Sequence, residues 1–199
     1  MKNLSKTIAI LAIIIFTFSC SKNDAPAPIQ PVILAPLQDP LPGYLAATGF
    51  NEKSSIEIDS WENAHGFSFI PLVNGKIRAI VIKNSVVQSG IRVTVWDKSN
   101  GTVLRTEYID LPTAGVEIVK QITALELVKD KEYFLTLNTN DRYYRRRNDG
   151  VAVTYPFIVG DIKITSYAMK NGTVTQVIPT TLMTNACFGD CSFKFQKLI

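Results

Sequence analysis

Within eight residues, Asn140-Asp141-Arg142-Tyr143-Tyr144-Arg145-Arg146-Arg147 sets four guanidinium groups beside two phenol rings. Such rings stack on the apolar faces of sugars, and arginines form bidentate hydrogen bonds to carboxylates or sulfates. Tyr and Arg are also the residues that dominate interface energetics. Arg142, Tyr143, Tyr144, Arg145, Arg146 and Arg147 are therefore the candidate ligand-binding residues. The competing reading is an exposed, charged edge strand that resists pairing with another sheet. Trp61 and Trp96 could also serve a binding face, although the alternation around Trp96 places it against a neighbouring strand.

Few other residues suggest chemistry. Nucleophilic hydrolysis needs a nucleophile, a base and an orienting group. The chain has one histidine, His65, and no Gly-x-Ser-x-Gly elbow, so no catalytic residue is assigned. Glu57, Asp59, Glu62, Glu107, Glu126 and Asp161 are carboxylates of the kind a glycosidase pairs, but they are scattered and sit in no motif. Cys187 and Cys191 lack a second cysteine pair or a nearby histidine, which argues against zinc. In an exported protein two cysteines flanking Phe188-Gly189-Asp190 point to a disulfide pinning the entry to the last strand. No metal site and no cofactor are assigned. Calcium stays open at Asp97, Asn100, Asn138, Asn140, Asp141 and Asp149, although turns favour Asn and Asp for conformational reasons alone.

Export itself is written at the start. Lys2 and Lys6 precede an apolar run, Ile8 to Phe18, that ends at Ser19-Cys20. This is the build of a secretory signal, too short to span a bilayer, which needs about 20 apolar residues. Cys20 directly after the cut resembles the lipobox of bacterial lipoproteins, in which that cysteine is acylated; Phe18 departs from the usual smaller residue. Ser21-Lys22-Asn23-Asp24 resembles an export tag that sends lipoproteins to the outer face of the outer membrane. The expected location is the outer membrane, lipid-anchored at the cell surface, with the periplasmic face as the alternative. Removal of Lys2 and Lys6 lowers the formal charge from +4 to +2, too little to build a nucleic-acid face.

The expected domains are a signal peptide over 1–19, a lipidated cysteine and Pro-rich tether over 20–43, and one folded domain over 44–199. Six of the ten prolines fall in the tether (Pro26, Pro28, Pro31, Pro36, Pro40 and Pro42), which predicts an extended, semi-rigid spacer. Beyond it the pattern alternates at period two, with no convincing helix. Tyr44 to Phe50 and Ser55 to Asp59 read as first strands, and Asn74-Gly75 as a tight hairpin turn. Lys98-Ser99-Asn100-Gly101 turns one strand into Thr102 to Ile109, and Asn171-Gly172 joins Asp161–Met169 to a partner at Thr173–Ile178. About ten to twelve strands at this spacing predict an all-β, antiparallel two-sheet sandwich, jelly-roll-like.

Phe67-Ser68-Phe69, Asn74-Gly75-Lys76-Ile77, Val93-Thr94-Val95-Trp96-Asp97, Gly101-Thr102-Val103-Leu104 and Lys131-Glu132-Tyr133-Phe134 with Asn138-Thr139-Asn140 together resemble the family called domain of unknown function 4082. That family occurs in bacterial surface lipoproteins and as modules of large secreted proteins. The resemblance covers roughly Thr48 to Tyr144 and implies a β-sandwich; it carries over no catalytic residue. The expected function is a non-enzymatic, surface-anchored sandwich that binds a glycan or glycoconjugate. The alternative is a structural or adhesive envelope protein with a protein partner. A hydrolase would need two carboxylates facing each other in a cleft.

Overall fold

Apolar side chains alternating at period two dominate the chain from Lys53 onward, and antiparallel sheet is what they build. The computed structural model describes residues Leu34–Ile199, which form one compact unit. The signal peptide, Cys20 and the first part of the tether lie outside the described residues.

The elements in order are α1 (Pro40–Thr48), β1 (Lys53–Pro71), β2 (Gly75–Lys83), β3 (Gln88–Asp97), β4 (Thr102–Leu111), β5 (Ile118–Leu127), β6 (Tyr133–Arg146), β7 (Phe157–Val159), β8 (Ile162–Lys170), β9 (Thr181–Met183), β10 (Ala186–Phe188) and β11 (Asp190–Lys197). They form an all-β sandwich of two antiparallel sheets that divide unequally. The large sheet has eight strands, ordered β4-β3-β6-β1-β8-β7, with β10 added to β6 and β9 to β8; the small one is β11-β2-β5. Between them lie Phe67, Phe69, Tyr133, Leu135 and Leu137 from the large sheet and Ile77, Ile80, Ile82, Phe193 and Phe195 from the small one, all buried.

The helix corrects the expected first strand at Tyr44–Phe50. Asp39 caps it, accepting from the Leu41 amide at 3.1 Å, Pro40 opens it, and Gly49 closes it at φ 75°. Tyr44 then enters the core, edge-on to Phe50 at 6.0 Å and stacked on Phe67 at 6.4 Å. The Asp39 carboxylate also takes Lys194 Nζ at 2.9 Å, and Gln38 bridges to Phe195. Residues 34–43, expected in the tether, therefore belong to the domain.

Two turns also differ from expectation. Asn74-Gly75 is no hairpin: it carries the chain from β1 in the large sheet to β2 in the small one. Gly75 is required there by close approach, because a Cβ would run into the Phe195 ring and lie 2.7 Å from the Gln196 carbonyl oxygen. After Asn171-Gly172, residues 173–178 form no strand. Their polar groups instead bond to the large sheet: Arg92 Nη2 donates to the Val174 carbonyl at 2.7 Å, and Gln176 Nε2 to Thr94 Oγ1 at 3.0 Å. The Lys98–Gly101 turn does join β3 to β4, with Gly101 at φ 70°.

The expected Cys187–Cys191 disulfide is not formed; both thiols are free and buried. Cys187 pairs with Arg145 in the large sheet and Cys191 with Ile82 in the small one. The turn at Gly189, φ 73°, thus sends the two cysteines into different layers instead of across one hairpin.

Gly75→Ala is expected to lower unfolding stability by about 1–3 kcal/mol, since the added Cβ overlaps the buried Phe195 ring and crowds the Gln196 carbonyl, one of which must shift. Urea unfolding monitored by tryptophan fluorescence measures the shift.

Candidate ligand-binding site

Strand β6 outruns the small sheet, and this overhang fixes the fate of the Tyr/Arg segment. Alternation splits it. Tyr143 and Arg145 point towards the ends of β2 and β11, while Arg142, Tyr144 and Arg146 share the opposite face.

On that opposite face the guanidinium of Arg142 is buried, with Nη1 on Asp59 Oδ2 at 2.6 Å and Nη2 on Glu57 Oε2 at 2.9 Å. Tyr144 stacks on Phe188 at 5.0 Å, and Arg146 lies over Tyr144 at 4.8 Å. Arg147 closes a local loop on Asp149 at 2.5 Å. Arg142 and Arg147 are thereby occupied, because a fork already on a carboxylate has spent its bidentate geometry, whereas Arg146 lies on the Tyr144 ring with no carboxylate partner among the described residues.

On the first face Arg145 donates from Nε and Nη2 to both oxygens of Asp190, each at 2.5 Å, joining the large sheet to the small. That bond raises the pKa of Arg145 further, against its partial desolvation. Across the β2–β11 ladder Asp190 stands directly opposite Lys83. The Tyr143 ring has Arg145 at 5.2 Å and the Lys83 ammonium at 5.8 Å from its centre. Lys83 has no carboxylate partner within ion-pair distance among the described residues.

Beside this group opens a cleft of about 200 Å³, walled by Leu41, Pro42 and Leu45 of α1 and by Val81, and edged by Lys83, Glu117, Arg145 and Asp190. Two carboxylates and two cations share its mouth, so its net charge is zero. Such a cleft combines an apolar wall and a nearby ring with both donors and acceptors. It suits a small, uncharged, hydroxyl-rich ligand better than a polyanion.

Of the six residues singled out in the sequence, the fold brings Arg145 to the cleft and Tyr143 beside it. Lys83, Glu117, Asp190 and the α1 wall were not foreseen. No local signal could find them, because Lys83 and Asp190 meet only through pairing of strands 107 positions apart in sequence (190 − 83). Trp96 is buried, its Nε1 donating to Thr136 Oγ1 at 2.7 Å, whereas Trp61 is exposed.

The carboxylates considered for hydrolysis are mostly engaged elsewhere: Glu57 and Asp59 on Arg142, Glu107 with Lys120, Glu126 with Lys76 and Asp161 with Gln38. Among the described residues no three His, Cys, Asp or Glu side chains converge to hold a metal ion. Asp97, a calcium candidate, instead binds Ser99 and Lys131, the Lys131 bond at 2.7 Å being the main cause of its lowered pKa. Burial pushes the Cys187 and Cys191 thiols well above their usual range. His65 is wholly buried, neither ring nitrogen has a partner, and it borders a cavity of about 10 Å³. Burial, helped by the charge of Arg142, lowers its pKa to about 3.

No protein-family model matches the chain, and no curated protein matches it.

The lowered His65 pKa sets an acid-side prediction. The folded state refuses a proton that the unfolded chain accepts below about pH 6.5, so stability is full above that pH and falls as the pH drops towards 3. Between pH 7.5 and 5 the loss due to this residue is expected to be about 2 kcal/mol, and His65→Leu should abolish it. Urea titrations of both proteins at the two pH values provide the measurement.

Proposed function

We propose that the protein is a lipid-anchored envelope protein whose sandwich binds an uncharged glycan in the cleft beside Tyr143. The observation that carries this reading is the neutral row of Glu117, Lys83, Asp190 and Arg145 at the mouth of an apolar-walled cleft. Glu117 accepts from sugar hydroxyls, while Lys83 and the unengaged part of Arg145 donate to ring and hydroxyl oxygens. Tyr143 offers a ring to the apolar face of a pyranose. A volume of about 200 Å³ lies below the roughly 300 Å³ at which pockets for larger ligands begin, so one sugar ring or one chain end is the natural occupant.

The anchor reading rests on the basic start, the short apolar run and Ser19-Cys20. Several acyl chains at about 0.8 kcal/mol per buried methylene hold a soluble domain at a membrane. The resemblance to domain of unknown function 4082, a family met in bacterial surface lipoproteins, supports the same reading. A second reading, an adhesive protein with a protein partner, is favoured by the exposed Ile56, Ile58 and Trp61.

Two experiments test these readings. On a glycan array the purified protein is expected to bind neutral glycans with little dependence on salt, and Tyr143→Ala and Lys83→Met should each weaken binding about tenfold or more. An array that stays silent, alongside capture of one envelope protein, would move the assignment to the adhesive reading. Metabolic labelling with a fatty-acid analogue should mark the wild type and leave Cys20→Ser unlabelled; an unlabelled wild type removes the anchor.

A further inference from the structure

The first half of β1 is an open sheet edge. From Lys53 to Ile58 it pairs with β6 on one side, whereas β8 reaches its other side only from Ala64 onward. No backbone hydrogen bond among the described residues covers the stretch 53–59 on that second side. Unpaired strand backbone of this length is a template for another strand, and proteins usually guard it with charge, proline or a bulge. Here the bulge comes late, between Ile58 and Asn63, and the edge has no proline. Its apolar side chains face water: Ile56 is 56% exposed and Ile58 72%.

The edge is complementary to itself. Lys53, Ser55, Glu57 and Asp59 alternate onto one face, Ser54, Ile56 and Ile58 onto the other. When two such strands run antiparallel about a two-fold axis at Ile56, Lys53 stands opposite the partner's Asp59. Ser55 then meets the partner's Glu57, Ser54 meets the partner's Ile58, and Ile56 meets the partner's Ile56. No like charges oppose, and Lys53, which forms no ion pair among the described residues, gains a carboxylate. Four isoleucines cluster on the other face. Shifting the register by two residues sets Glu57 against the partner's Glu57, and shifting it by four places Ile58 at the axis with Lys53 opposite the partner's Asn63; either loses that charge match.

We infer that this edge is a self-association surface whose occupant is a second copy of the same chain, joining two large sheets into one continuous sheet through β1. The arrangement is isologous and closes on itself, so it yields a dimer and not a fibre.

Cysteine crosslinking reads the register directly. In the full-length chain carrying Ile56→Cys, the two new thiols lie opposite each other at about 4.5–5.5 Å between Cβ atoms. Mild oxidation should give a disulfide-linked dimer on a non-reducing gel, above the background of wild type with its native cysteines. Lys53→Cys is the control: its copies stand six residues apart along the strands, roughly 20 Å, and should not crosslink. In sedimentation, wild type should self-associate with rising concentration, and Ile56→Lys should weaken this about tenfold or more. Ile56 touches solvent, so an unchanged thermal midpoint verifies that the variant is folded. Equal crosslinking at both positions, no crosslink at Ile56→Cys, or self-association unaffected by Ile56→Lys would each overturn the proposal.

Discussion

Phe193 is the point at which the two sheets lock. Its ring lies 4.7 Å from Phe69 and 6.2 Å from Phe67, both on β1, and Phe69 in turn stacks on Tyr133 of β6 at 5.6 Å. One residue of the small sheet thereby engages the two central strands of the large one. Aromatic contacts of this kind add about 0.5–1.5 kcal/mol each beyond the area they bury. The lock sits near the middle of β11, and the small sheet is short. Strands β1 and β6 therefore continue past it, facing only the ends of β2 and β11.

That overhang explains most of what is unusual in the chain. Side chains there pack largely on one another: Arg142 over Phe188, Arg145 over Tyr143 and Arg146 over Tyr144. Arg142 illustrates the constraint. A buried guanidinium left without a partner would cost several kcal/mol, and two carboxylates from the neighbouring strand offset that cost. Arg145 does the same work between the layers, where its pair with Asp190 fixes the position of the turn at Gly189. Much of the Tyr/Arg segment is therefore architecture, and only its face towards Lys83 is turned to the cleft.

The sandwich was legible because its signal is local and repeated. Tyr133, Leu135 and Leu137, or Phe193 and Phe195, show their shared face without any knowledge of partners. What failed was long-range or disguised. Asn74-Gly75 carries a hairpin signature, yet the residue pair is chosen for its fit beneath Phe195 and for a change of layer. The helix was hidden inside a Pro-rich run, although Asp39-Pro40 and Gly49 mark its two ends. Cys187 and Cys191 looked like a pair because spacing in sequence does not reveal that a left-handed glycine between them directs each to a different sheet. The cleft was the least legible part. Its polar edge is assembled from β2, β6, β11 and the residue before β5, and only strand pairing decides that these four meet.

The overhang also links the open edge to the cleft. Ile56 pairs with Tyr143, so the ring lies one strand in from the free edge and on the same face as the exposed isoleucines. In a dimer joined through β1, the strand order across the seam would be β6, β1, β1, β6. The two Tyr143 rings would then sit on one face, three strand spacings apart, or roughly 14 Å. A single small cleft binds weakly, since few atoms contribute. If each cleft takes a sugar as proposed, two clefts fixed on one rigid sheet would convert the second contact with a repeating polymer into an intramolecular step, raising overall affinity without any new interaction. The same shortness of the small sheet that limits each site would thus let two of them act together on one chain.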